Sequence, residues 1–134
     1  MENRMGLQEK MMIRDLTEKT LPEREKEITE ICGGAAKYVV DWDSMANDAE
    51  ALRFMDNLSC HRLNMALRSI ALDPMGKEAL KDGLKTIKLK NVPTKDEMKM
   101  EFRDGVLEMH CAYALRTDGM FNDMEIYRTL MGGL

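Results

Sequence analysis

The chain of 134 residues carries a net charge of −4, with 44% apolar and 33% charged residues. This size and balance fit one soluble globular domain that folds without disulfides or metals, and they exclude global disorder. Acidic and basic residues are interspersed, so the basic block of a nucleic-acid binder is missing, and no stretch approaches the roughly 18 apolar residues of a membrane span.

The opening "MENRMGLQEKMMIRDL" has no apolar core of the kind a secretory signal needs. Three cysteines, an odd number with no CxxC pair, read as reduced thiols of a cytoplasmic protein. Fourteen methionines against three Phe and three Tyr are scattered along the chain, which suits gap-filling in a core or an adaptable partner surface better than soft-metal binding.

Leu7, Met11, Met12 and Leu16 form a weak helical stripe over 7–19. Thr20-Leu21-Pro22-Glu23 reads as a capping box that starts a helix over 21–32, and Gly33-Gly34 should end it. The stretch 35–43 is ambiguous. Tyr38, Val40 and Trp42 alternate as in a strand, yet Ile28, Ile31, Ala35, Tyr38 and Trp42 also fit a helical seam. The glycines and the β-branched pair favour a strand.

Asn47 reads as the N-cap of a long helix reaching about Leu72. At about 100° per residue, its apolar positions (Leu52, Met55, Leu58, Leu63, Met65, Ala66, Ile70) cover a wide arc. Arg62 falls inside that arc, with His61 at one edge and Cys60 at the other. Asp73-Pro74 should begin a short helix that Gly83 stops. Three strands follow at 84–91, 98–103 and 106–113, the last two joined by Asp104-Gly105 as a type I′ hairpin. Asn122 to Glu125 opens a C-terminal helix, onto which Phe121 can staple at Ile126.

The fold expected is a two-layer α+β domain over 1–134. It has a 1–32 helical segment, a 35–134 core, an antiparallel sheet of about four strands, the long helix in the centre, and flanking N- and C-terminal helices.

The two histidines each adjoin a cysteine, at Cys60-His61 and His110-Cys111. Strand neighbours point to opposite faces and helical neighbours diverge by about 100°, so neither doublet chelates by itself. Cys111 belongs with Leu107, Met109 and Tyr113 as a core thiol. A nucleophilic Cys–His pair would have to assemble across segments.

The two-residue loop fixes the hairpin register: Arg103 opposite Val106, Phe102 opposite Leu107, Glu101 opposite Glu108, Met100 opposite Met109, and Lys99 opposite His110. One face is then charged. It is either a solvated surface, with Lys99 and Arg103 flanking the carboxylates, or a divalent-cation or acid/base site built from Glu101, Glu108 and His110.

Asp41 and Asp43 lie two apart. They can hold Mg²⁺ or do acid/base work, but the capping of a following turn explains them more simply. A covered Arg62 needs a carboxylate or anion to accept from it, which Asp41, Asp43 or a symmetry mate could supply. The competing expectation is that its guanidinium reaches solvent. Gly-rich phosphate loops, GxSxG and HExxH are absent.

The expected function is a non-catalytic cytoplasmic interaction domain that forms a homodimer through the over-broad arc of the central helix. It has no cofactor, no nucleic-acid partner and no membrane partner. The rival readings are a small metal-dependent enzyme, or a small-molecule sensor, with a site on the sheet face or near Asp41 and Asp43.

Overall fold

A computed structural model describes residues 6–134. The first five residues, which belong to the expected 1–134 domain, to its 1–32 segment and to the stretch read as lacking a signal, lie outside the described residues.

The described chain opens on one continuous helix made of α1 (Leu7–Asp15), a π turn (Leu16–Thr20) and α2 (Leu21–Cys32). The capping box expected at Thr20 does not form. Thr20 is itself helical and its side chain caps nothing. Leu16 and Leu21 are buried on either side, so packing carries the helix across a local start signal, and the π turn takes up one extra residue. Gly33, with φ 81°, ends α2.

Strand β1 (Lys37–Val40) follows, which resolves the ambiguous stretch as a strand. Next come a 3-10 turn (Trp42–Ser44) and a second long helix of α3 (Ala49–Met55), a π turn (Asp56–His61) and α4 (Arg62–Ala71). Its cap is Asp48, whose carboxylate accepts from Ala51 N–H, rather than Asn47. Helix α5 (Pro74–Gly83) is capped by Asp73 as expected.

Strand β2 (Thr86–Asn91), the hairpin β3 (Lys99–Arg103) and β4 (Val106–Cys111), a tight segment over Tyr113–Gly119 and helix α6 (Asp123–Gly133) complete the chain. The capping box of α6, Asn122 with Glu125, forms.

The sheet order is β1-β2-β4-β3. Here the structure corrects the sequence reading: the sheet is mixed, not antiparallel. β1 runs parallel to β2 and β2 parallel to β4, while only β3 and β4 are antiparallel. The helices α3 to α5 form the crossover that a parallel β1–β2 pair requires.

Residues 92–98 then pass the end of β4, with Val92 N–H bonded to Cys111 O at 2.9 Å, so β4 fills the gap beside β2. Alternation along a strand reports which face a side chain takes and says nothing of which strand lies alongside. The hairpin itself matches in all five residue pairs, with φ of 53° at Asp104 and 80° at Gly105, the left-handed pair that a type I′ turn demands.

Ile87, Leu89, Leu107, Met109 and Cys111 point to one side and join Ile28, Leu52, Met55, Leu63, Leu67, Leu80, Ile126 and Leu130 in a single core. All the helices therefore lie on that side of the sheet. The wide arc of the central helix is filled within the chain by α2, α5, α6 and the sheet. On the outer edge of β1, Glu25 of α2 accepts from Tyr38 N–H at 2.9 Å. On the outer edge of β3, the C-terminal Gly133 of α6 presses on Phe102, including its carbonyl. No helix among the described residues is long and apolar enough to cross a membrane.

Candidate functional site on the open sheet face

Among the described residues no helix lies over the other face of the sheet. Register arranges its outward side chains in rows across the strands. Lys37, Thr86, Val106 and Arg103 form one row, and Val39, Lys88, Glu108 and Glu101 the next. In the third, Lys90, His110 and Lys99 are joined by Asp41 at the end of β1.

A shallow groove of about 340 Å³ runs between β1, β2 and β4. It is lined outwardly by Val39, Asp41, Lys88, Lys90, Glu108 and His110. His110 Nε2 lies 2.7 Å from Glu108 Oε2, and the His110 side chain is only 16% exposed. That hydrogen bond, helped by Lys99 and Lys88, holds the Glu108 carboxyl below its ordinary value.

Glu101 and Glu108 face each other as like charges, and that repulsion is relieved from two sides. His110 takes Glu108, while Lys99 and Arg103 stand 3.9 and 3.8 Å from the Glu101 oxygens. Among the described residues no three His, Cys, Asp or Glu side chains converge as a metal site. Glu101, Glu108 and His110 stand here as parts of a paired surface.

Asp41 and Asp43 are exposed at the 3-10 turn. Asp41 Oδ1 accepts from Ser44 N–H at 3.2 Å, which is the capping role. Arg62 is half-buried. Among the described residues it forms no ion pair with Asp41 or Asp43, and its Nε is buried without a partner. The extra residue of the π turn at 56–61 advances the helical phase just before Arg62, so a wheel drawn at constant pitch misplaces it. His61, also half-buried, does not line the groove that contains Asp41. The residues grouped in the sequence as a buried ionic site are therefore not brought together.

A partly buried ion pair between helices was not singled out from the sequence. Arg24 donates from Nε and Nη2 to both oxygens of Asp56, at 2.8 and 2.9 Å, and from Nη1 to Glu27 at 3.0 Å. Asn64, fully buried, donates to the same Glu27 oxygen at 2.7 Å. The cluster ties α2 to the π turn of the central helix and to α4. No local signal announces it, because Arg24 and Asp56 are 32 residues apart.

All three cysteines are free and buried. Burial pushes the Cys111 thiol up to about 11 and raises that of Cys60 further. Ser59 Oγ and Tyr113 Oη, 2.6 Å apart, share the Cys111 neighbourhood inside the core. Neither raised thiol is a thiolate nucleophile near neutral pH.

Comparisons of this chain with protein-family models, with curated proteins and with solved structures return no match.

Proposed function

We propose that this protein is a non-catalytic binding domain that uses the open sheet face, in the groove beside His110 and Glu108, as its recognition surface. One observation carries the reading. The helices of the core lie on the opposite side of the sheet, yet the bare face holds a partly buried His110–Glu108 pair in a groove of about 340 Å³. That volume is at the small end of ligand sites. The buried, proton-bound thiols support a binding role over a cysteine-based catalytic one.

A fragment and peptide screen read by amide chemical shifts tests the site. Hits should move residues 39–41, 88–90 and 108–110. Hits gathering instead along the Ser69–Gly76 corner and α6 would remove the proposal. The homodimer expected from the sequence rested on the broad arc of the central helix, and that arc is filled within the chain. Sedimentation at high micromolar concentration checks whether a dimer held by some other surface exists.

A further inference from the structure

We infer that the occupant of the open sheet face is an acidic polypeptide segment, laid across Lys88 and Lys90. This inference rests on the binding reading given above and adds the chemistry of the partner.

The outward face and its groove carry Lys37, Lys88, Lys90, Lys99 and Arg103 against Asp41, Glu101, Glu108 and, at the rim, the Glu25 that pairs Lys37, a surplus of one positive charge. The chain as a whole stands at −4, so the remaining surface is more negative still. Cations concentrated on one face of an acidic body steer an acidic partner to that face and repel it elsewhere.

The carboxylates on the face are already engaged. Asp41 takes the Ser44 amide, Glu101 stands between Lys99 and Arg103, and Glu108 takes His110. Lys37 is paired with Glu25 at 3.5 Å. Lys88 and Lys90 remain. Both are exposed, both flank the groove, and neither forms a hydrogen bond or a close ion pair among the described residues. Lys88 has only the longer-range attraction of Glu108. They alternate with buried Ile87 and Leu89, so strand geometry aims both lysines outward along one line.

The face carries no Phe, Tyr or Trp, so it lacks the stacking platform on which single-stranded nucleic acid is held. Its one well-exposed apolar side chain, Val39, offers little to a lipid surface.

The test uses the full chain, isotope-labelled, titrated with a hexaglutamate peptide. Amide shifts should move at residues 39–41, 88–90 and 108–110, and binding should weaken between 50 and 200 mM salt by about tenfold. Lys88→Glu/Lys90→Glu should abolish the shifts while thermal unfolding stays unchanged, since both side chains are exposed.

Hexalysine, oligouridylate and phosphatidylserine vesicles are the parallel probes. Stronger binding of the oligonucleotide or the vesicles on these same residues overturns the acidic-peptide inference and leaves the sheet-face reading standing. Hexaglutamate shifts that appear elsewhere, that survive the double variant, or that fail to appear at all also overturn it. The fragment screen reports separately on whether the face binds anything.

Discussion

Glu108 shows how a residue that looks unfavourable in sequence becomes useful in place. Across from Glu101 it should repel, and two residues from His110 it gains a hydrogen bond of 2.7 Å. Because that bond holds its folded value below the ordinary 4.5, its contribution to stability is complete above pH 4.5. It is lost as the pH falls through the depressed folded value. Glu108→Gln should therefore flatten the decline of thermal stability on the acid side of pH 4.5, with at most about 1 kcal/mol of effect at neutral pH because the pair is partly exposed. Melting curves from pH 3 to 7 check this, and parallel acid limbs for the two proteins would contradict it.

The same scale shows what the sequence makes legible. Asp41, Asp73 and Asn122 cap where their positions say they should, since a cap draws on three or four neighbouring residues, whereas at Thr20 packing overrides the local signal and at Asn47 the cap shifts by one residue to Asp48. Arg24 with Asp56, and Glu27 with Asn64, depend on helices meeting across the fold, and no local pattern carries that information.

Between residues and the whole fold, the two π turns matter most. Each adds one residue to a helix that otherwise keeps its faces in register, at Leu16–Thr20 and at Asp56–His61. Constant-pitch reasoning placed Arg62 within the apolar arc and Cys60 at its margin. Arg62 is largely covered, with its Nε fully inside, while Ser59 and Cys60 are fully buried.

A deletion experiment follows from this. Asn57 is exposed within the second π turn. Removing it should restore ordinary helical pitch, keep the flanking faces aligned, and cost no more than about 1–3 kcal/mol in urea denaturation, the range of a typical single change. Deleting Ala66, which is buried in plain helix, should rotate everything beyond it and prevent folding. Equal behaviour of the two deletions would show that the π turn is not the slack element.

The strands teach a complementary lesson. Their positions, the hairpin register and the inward and outward faces all follow from alternation and the Asp104-Gly105 turn. The neighbour of β2 does not, because both a meander and the observed insertion of β4 bury the same side chains.

At the scale of the molecule, one core joins α2, the central helix, α5, α6 and the inward side of every strand. Leu16, Leu21, Ile28 and Cys32 of the N-terminal helix belong to that same core. Unfolding should accordingly be a single cooperative transition, with far-ultraviolet and near-ultraviolet dichroism superimposing in urea. An early loss of helix signal ahead of the aromatic signal would show that the N-terminal helix melts on its own.

The two rims of the sheet have a further consequence. Glu25 occupies the outward amide of Tyr38 on one rim, and Gly133 presses on Phe102 at the other. Each contact takes up one point of an edge along which a foreign strand would have to pair, and so works against strand addition at that point.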